Sequence, residues 1–193
     1  MQTLCGIPLY SEEEGGIVMH PRPVVVAVSG IKNSGKTTLI VNMLPHLSRA
    51  GLRVAVIKHD GHCFLPEPPN TDTGRYLSAG AWGAAIYDGE KYKLVRRQAV
   101  TDATLAEQFP EADLILLEGL KHSSWPKLEL VRSGNSDRPV SDPATLLALV
   151  TDLPIRLPGV PSVPFGDAAA AAGIVLRYLE QVRLRRGEPR HLE

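Results

Sequence analysis

Short runs of consecutive apolar residues recur along the chain, and segments with helical apolar spacing separate them. Apolar runs without alternation are typical of parallel strands that are buried on both faces. The first run, the helical segment after it and the second run together predict a right-handed crossover and a parallel pair of strands. Strands are predicted at residues 24–28, 53–58, 114–117, 146–150 and 163–165, and helices at 36–49, 72–79, 102–109 and 167–186.

Three segments depart from this simple pattern. Pro45 lies inside the first predicted helix and removes one backbone hydrogen bond, so we expect a kink or an early end there. Asp88-Gly89 between two apolar runs predicts a projecting β-hairpin, whose edges must be covered either by dimerisation or by packing within the chain. Residues 127–132 alternate polar and apolar side chains, which predicts a half-exposed strand.

Composition places the chain among globular proteins of about one domain. It has 193 residues, 44% of them hydrophobic, and 21 basic residues balance 21 acidic ones. This balance argues against a general nucleic-acid surface or a polybasic membrane surface. Two cysteines give no disulfide framework, so we expect a cytoplasmic protein. The predicted organisation is a flexible tail at 1–22, one domain at 23–186 and a second tail at 187–193.

The segment after the first strand carries the clearest chemistry. Residues 30–37 fit the phosphate-loop pattern G-x-x-x-x-G-K-[ST] at every fixed position, and a helix is predicted directly after them. Gly30 and Gly35 allow the backbone N–H groups to approach phosphate oxygens. Lys36 neutralises phosphate charge, and Thr37 offers a hydroxyl ligand to Mg²⁺. The candidate phosphate-binding residues are Gly30, Lys32, Asn33, Ser34, Gly35, Lys36, Thr37 and Thr38.

Two acidic residues follow predicted strands, at the sheet edge where ligands of open parallel sheets bind. Asp60 is a candidate Mg²⁺ ligand, directly or through water, or else a turn aspartate. Glu118 is predicted to hold a Mg²⁺-bound water or to orient an attacking one, and the alternative is an ion pair with Lys121. A zinc site is a further alternative, although its spacing matches no closed zinc pattern; its candidates are His59, His62, Cys63 and His122.

Other polar residues at predicted strand ends suggest additional ligand contacts. Asp152 can accept the N1 and N2 protons of guanine, or it is an ordinary turn residue before Pro154. Arg75 either reaches an anionic ligand or forms a surface ion pair. A second anionic site is a hypothesis that rests on the charge and the strand-end placement of Lys121, Lys127 and Arg132.

Taken together, these stretches resemble the molybdopterin-guanine dinucleotide biosynthesis protein B family over about residues 23–180. The N-terminal tail and the proline-rich loop at 65–70 depart from the family's pattern. The resemblance is carried by the phosphate loop, by Lys58-His59-Asp60-Gly61-His62, by Asp72-Thr73-Gly74-Arg75 with Ala79-Gly80-Ala81, by Glu118-Gly119-Leu120-Lys121, by Pro126-Lys127-Leu128-Glu129 with Arg132, and by Thr151-Asp152.

The resemblance implies a three-layer α/β phosphate-loop NTPase fold with a mostly parallel sheet, binding GTP and Mg²⁺ with weak GTPase activity. It implies a homodimeric adapter that works beside the guanylyltransferase joining GMP to molybdopterin, and it supports Asp152 as a guanine contact. It also makes the phosphate of molybdopterin a candidate ligand of the second anionic site. Two alternatives remain open at this point. One is a small-molecule kinase on the same fold, and the other is a pure adapter whose nucleotide site is only structural.

Overall fold

The structure is a computed structural model that describes residues 12–13, 16–17, 21–61, 64 and 67–188. Its elements, in chain order, are β1 (Glu12–Glu13), β2 (Gly16–Ile17), β3 (Val24–Ser29), α1 (Lys36–Arg49), β4 (Val54–Lys58), α2 (Asp72–Ser78), β5 (Gly83–Tyr87), β6 (Tyr92–Arg96), α3 (Asp102–Ala106), β7 (Leu114–Glu118), β8 (Lys127–Val131), a 3₁₀ turn (Pro143–Thr145), β9 (Leu146–Thr151), β10 (Ser162–Pro164) and α4 (Ala168–Arg186).

The chain forms two compact units. One consists of the described residues up to His59 together with those from Asp102 onward, and the other is Asp60–Thr101. The predicted domain bounds of 23–186 stay a prediction. Most of the predicted N-terminal tail lies outside the described residues, although β1 and β2 pair antiparallel within it. In the part of the chain that the structure describes, no helix has the length and apolar character needed to span a bilayer.

The first unit is built on a six-stranded sheet in the order β10-β9-β8-β3-β7-β4, and all of its pairs are parallel. This confirms the predicted α/β class. The predicted pairing of the first two long strands is wrong, because β7 lies between β3 and β4. A right-handed crossover fixes the direction in which the chain moves across the sheet, but it leaves room for a later strand to be inserted. Strand β3 therefore ends between the ends of β7 and β8.

Helices α1 and α4 cover one face of this sheet. Met43 and Leu47 of α1, and Val175 of α4, have no exposed surface and pack against alternate residues of the central strands. Helix α1 continues to Arg49, so the early end predicted at Pro45 does not occur. Burial of Met43 and Leu47 on either side of the proline offsets the missing backbone bond.

Helix α3 covers part of the opposite face, which completes three layers. Leu105 and Ala106 pack against Ala27, Ile57 and Leu117 of the sheet. The helix ends at Ala106, three residues before the predicted end, and tight turns follow it. The N–H groups of residues 108 and 109 donate to carbonyls three residues earlier, which is the pattern of a 3₁₀ turn.

Strand β8 differs from its prediction. All of its residues are buried, including Lys127 and Glu129, so the predicted half-exposed strand is wrong. The Glu129 carboxylate accepts hydrogen bonds from the backbone N–H groups of Val140 (2.7 Å) and Ser141 (3.0 Å). The charged side chains of this strand can be buried because the backbone of neighbouring loops provides their hydrogen-bond partners.

The second unit consists of α2 and an antiparallel hairpin of β5 and β6, which confirms the predicted hairpin. The Thr71 hydroxyl caps α2 by accepting the N–H of Gly74 at 3.1 Å. At the hairpin turn the Asp88 carboxylate accepts the N–H groups of Glu90 and Lys91. The turn is therefore held by its own side chain.

Candidate functional site

The loop between β3 and α1 has the backbone geometry that its glycines predict. Gly30, Asn33 and Gly35 have φ angles of 136°, 61° and 96°. A Cβ atom at Gly30 would lie 2.7 Å from the Leu130 carbonyl oxygen and 2.7 Å from the Ser34 hydroxyl oxygen. Glycine is therefore required at position 30 for both space and backbone conformation.

Helix α1 begins directly after this loop, with Gly35 as its N-cap residue. Glycine provides no capping side chain, so the backbone N–H groups of the first turn remain available to a bound anion. No acidic residue occupies that turn. The positive end of the helix dipole therefore meets the loop without a competing carboxylate in the helix itself.

The Lys36 side chain folds back over the loop. Its ammonium group donates to the carbonyl oxygens of Ile31 at 2.7 Å and Gly30 at 3.3 Å. Burial lowers the pKa of Lys36; Glu118 opposes this shift, while the charges of Lys58 and Lys121 add to it. Three lysines thus act electrostatically on the same small region, with one carboxylate among them.

Thr37 and Glu118 meet beside this lysine. The Thr37 hydroxyl donates to Glu118 Oε1 at 2.8 Å, and the Lys58 ammonium lies 3.5 Å from the same oxygen. Residues Lys58 and Glu118 are register partners at the carboxyl ends of β4 and β7. The Glu118 side chain is buried, whereas the Lys58 side chain is 59% exposed.

This donor set fits Mg²⁺ bound together with a phosphate. The Thr37 hydroxyl donates a hydrogen bond to Glu118, which leaves its oxygen lone pairs for a cation, and Glu118 would hold a water bound to that cation. Mg²⁺ bound to phosphates keeps several waters and needs few protein ligands. Among the described residues no group of three or more His, Cys, Asp or Glu side chains forms a metal cage. A metal here would therefore depend on phosphate and water oxygens for most of its ligands.

Asp60 begins the second unit, so its predicted contact with the metal stays a prediction. His62 and Cys63, two of the residues proposed for zinc, lie outside the described residues. The backbone N–H of His59 donates to the Glu118 carbonyl at 3.0 Å. His59 therefore continues the pairing of β4 with β7 beyond the end of the strand.

Asp152 follows β9 on the other side of the loop. Its carboxylate accepts the Ser133 N–H at 2.8 Å and the Ser133 hydroxyl at 3.0 Å. The backbone hydrogen bond from Ser133 is the main reason that the pKa of Asp152 lies below its usual value. Asp152 is exposed and carries a negative charge at neutral pH.

The loop after β8 also contacts the phosphate loop. Asn135 Nδ2 donates to the Lys32 carbonyl at 3.1 Å, while Asn135 Oδ1 is buried without a hydrogen-bond partner. The Arg132 guanidinium lies 5.9 Å from the centre of the Phe165 ring, a cation–π geometry, and its Nε is also buried and unpartnered. The Ser34 hydroxyl is a third such group.

The residues proposed for a second anionic site are not equally available. The Lys127 side chain is fully buried, and its ammonium donates to the Ser123 carbonyl at 2.5 Å. Lys127 therefore supports the loop after β7, and no surface of its side chain is exposed to a ligand. Arg75 is exposed and lies 3.8 Å from Asp72, the arrangement of the alternative surface ion pair.

Sequence reasoning missed Lys58, Ser133 and Asn135 as neighbours of this site. Lys58 could have been found, because it ends a predicted strand just as Glu118 does. Ser133 and Asn135 lie in an irregular loop, and Asn135 is separated from its partner Lys32 by 103 positions. No periodic pattern indicates such a contact.

A known family of proteins matches the part of the chain that contains the phosphate loop and Glu118. The family model described as "MobB: Molybdopterin guanine dinucleotide synthesis protein B" matches residues 25–152, which is more than half of the chain. The chain belongs to the MobB family. A MobB-family member of Bacillus subtilis (strain 168), named a probable molybdopterin-guanine dinucleotide biosynthesis adapter protein, is 34% identical over 137 residues, or 69% of this chain and 78% of that protein.

Two further MobB comparisons extend the match. The molybdopterin-guanine dinucleotide biosynthesis adapter protein of Escherichia coli (strain K12) is 30% identical over 176 residues, covering 86% of this chain and 97% of that protein. The crystal structure of Bacillus subtilis MobB superimposes with a TM-score of 0.64 at 31% identity, over 80% of this chain and 96% of that one. The MobB fold therefore confirms the predicted fold class.

Proposed function

We propose that this MobB-family chain is an adapter in molybdopterin-guanine dinucleotide biosynthesis that binds GTP with Mg²⁺ at residues 30–38. The observation that carries the proposal is the meeting of three features at one point: a glycine-shaped loop, the open first turn of α1, and the Thr37–Glu118 hydrogen bond of 2.8 Å. Together they offer backbone donors to phosphates and oxygen ligands to a cation.

Several groups of the loop and of α1 contribute to phosphate binding in this proposal. Backbone N–H groups from Gly30 to Thr38 surround the phosphates, and the Lys36 ammonium moves from its carbonyl partners to the β- and γ-phosphates. Thr37 would hold the metal ion through its hydroxyl oxygen, and Glu118 would hold it through a water molecule. The metal ion, when bound, offsets the charge of the β- and γ-phosphate oxygens.

Asp152 is proposed to recognise guanine. A carboxylate is an acceptor for both protons of the guanine N1 and N2 edge, whereas adenine does not present two donors in that arrangement. Its two hydrogen bonds from Ser133 fix its orientation and still leave oxygen lone pairs free to accept others. The low pKa of Asp152 keeps it an acceptor at physiological pH.

Hydrolysis by this site is proposed to be slow. Glu118 already bonds Thr37 and lies beside Lys58, so it is better placed to hold a metal-bound water than to deprotonate an attacking one. In other phosphate-loop enzymes an arginine supplied at the γ-phosphate accelerates hydrolysis by about 10³–10⁵. The guanylyltransferase of the pathway is the partner that we propose to respond to the bound nucleotide.

A titration series tests nucleotide binding directly. Calorimetry with GTP, ATP and GDP, with and without Mg²⁺, should show tightest binding for GTP with Mg²⁺. Asp152→Asn should reduce the preference for GTP over ATP, because the amide replaces one acceptor with a donor. The proposal fails if no purine nucleotide produces a binding signal with the wild-type chain.

One observation favours a second candidate, an adapter whose nucleotide site is only structural. Lys36 ties the loop to itself through two carbonyl groups, so its ammonium also supports the fold of the loop. Under this alternative, Lys36→Ala would lose nucleotide binding and keep partner binding. Loss of both would favour a nucleotide-dependent adapter.

We also propose that the hairpin mediates homodimer formation. Tyr87 and Tyr92 are register partners with exposures of 83% and 75%, and Leu94, two residues farther along on the same face, is 46% exposed. The hairpin pairs with no other strand among the described residues, so both of its outer edges can pair with another chain. An apolar face with open edges is the kind of surface that a second copy covers.

A further inference from the structure

Lys58 is a cation whose side chain reaches the Thr37–Glu118 pair from a neighbouring strand. Its ammonium lies 3.5 Å from Glu118 Oε1, the oxygen that accepts the hydrogen bond of the Thr37 hydroxyl at 2.8 Å. Lys58 ends β4, which is at the edge of the six-stranded sheet, and its side chain is 59% exposed. The ammonium group therefore has space to move without disturbing the core.

The position of Lys58 conflicts with a metal ion at the same oxygen atoms. A divalent cation beside Thr37 and Glu118 would repel an ammonium group held 3.5 Å from Glu118. Lysine has a flexible four-carbon chain and can leave a carboxylate at little cost when a stronger anion is nearby. The γ-phosphate of a magnesium-bound triphosphate is such an anion, and a diphosphate lacks it.

We propose that Lys58 is the residue by which this site distinguishes a nucleoside triphosphate from a diphosphate. Without nucleotide, Lys58 neutralises Glu118. With a triphosphate and Mg²⁺, the metal takes over that role and Lys58 contacts the γ-phosphate. With a diphosphate, Lys58 stays at Glu118 and opposes the metal. The inference rests on the proposed nucleotide site and adds to it the basis of its selectivity.

The chain offers a matched control at the other end of the same strand. Arg53 directly precedes β4, about 16 Å from Lys58 at the rise of a β-strand, and it also lies beside a buried carboxylate, at 3.8 Å from Asp113. Lys58→Met and Arg53→Met remove the same charge from the protein. Lys58→Arg keeps the charge at position 58.

The test is calorimetry on the full chain with GDP and with a non-hydrolysable GTP analogue, each at low and high Mg²⁺. Lys58→Met should weaken binding of the triphosphate about tenfold, as expected for one lost charged contact, and change binding of GDP less than about twofold. It should also lower the Mg²⁺ concentration that the GDP complex requires. Lys58→Arg should keep most of the selectivity, and Arg53→Met should keep all of it.

Thermal unfolding of each variant without nucleotide shows whether the fold is retained. If Lys58→Met unfolds, Lys58→Gln, which also removes the charge but keeps a polar side chain, takes its place in the same titrations. Equal weakening of both nucleotides, or no change in either, overturns the role of Lys58 and leaves the proposed nucleotide site intact. Failure of the wild-type chain to bind either nucleotide instead overturns the proposed function and this inference with it.

Discussion

The glycines on either side of α1 differ in how well they should tolerate substitution, although both have a positive φ. Gly30 combines a positive φ with close backbone neighbours, whereas Gly51, at the end of α1, has a positive φ of 78° and no atom within 4 Å of the place where a Cβ atom would lie. A side chain at either position would be strained by the positive φ angle. Crowding against Leu130 and Ser34 is specific to Gly30.

Gly30→Ala should therefore disable the site. We expect nucleotide affinity to fall by more than about tenfold and the free energy of unfolding to fall by about 1–3 kcal/mol, the cost of a strained backbone residue. Gly51→Ala should cost about 1–2 kcal/mol of stability, because an L residue there must still adopt a left-handed conformation, and leave affinity unchanged. Calorimetry and urea unfolding measure the two effects, and equal affinity losses would contradict the crowding argument.

Thr37→Ala should separate metal dependence from phosphate binding. Its hydroxyl is the proposed metal ligand, while the backbone N–H of residue 37 is retained, so only the increase in affinity that Mg²⁺ provides should disappear. Ser48→Ala, which removes an exposed hydroxyl near the other end of α1, is the control. Nucleotide titrations with Mg²⁺ or EDTA measure the difference. A Thr37→Ala variant that still responds fully to Mg²⁺ would exclude Thr37 as the ligand.

At the scale of elements, runs of apolar residues predicted the strands well. The sequence did not show which charged side chains are buried with hydrogen-bond partners. The apolar runs predicted β3, β7 and β9 to within about two residues, because burial on both faces leaves a clear signal. Strand β8 has alternating charges and was predicted to be half exposed. Its burial depends on loops at residues 119–126 and 133–141, whose irregular backbone supplies carbonyl and N–H partners that sequence periodicity does not reveal.

Helix α4 is held to the sheet by a buried ion pair. Arg183 donates to Asp113 Oδ1 at 2.7 Å, and both side chains are less than a tenth exposed. Arg183→Ala should lower the free energy of unfolding by about 3 kcal/mol, the lower end of the range for breaking a buried pair, because the Arg53 N–H still donates to Asp113. Arg185→Ala on the exposed side should change it by less than about 0.5 kcal/mol. Equal losses in urea unfolding would show that the pair is not a major contribution.

At the scale of the whole molecule, the sequence identified the class of fold but not the order of its strands. The predicted parallel orientation of β3 and β4 is correct, because both strands pair in parallel with β7. The insertion of β7 between them is decided by packing among strands far apart in sequence, and no local pattern of residues 24–58 carries that information. Thr37 and Glu118 were both predicted to lie at the carboxyl ends of the strands, and the structure brings them into contact. Lys58 ends a predicted strand in the same way and was not included, although it lies 3.5 Å from Glu118.

Association between copies should depend on the hairpin face. Replacing both Tyr87 and Tyr92 with Ser should shift the chain towards monomer, because two exposed aromatic side chains that a partner would cover are lost. Val41→Ser, which removes an exposed apolar side chain from α1, should leave association unchanged. Sedimentation equilibrium measures the shift, and an unchanged association constant in the tyrosine variant would place the interface elsewhere.

The strand order also has a consequence for synthesis on the ribosome. Strand β3 leaves the exit tunnel before both of its hydrogen-bonded neighbours, β7 and β8, which are translated roughly a hundred residues later. Until then the loop that follows β3 lacks the two flanking strands that hold it in place. A nucleotide therefore cannot stabilise β3 and α1 through a completed site until β7 and β8 have been made, and the apolar segments of β3 and α1 lack their partners during that interval.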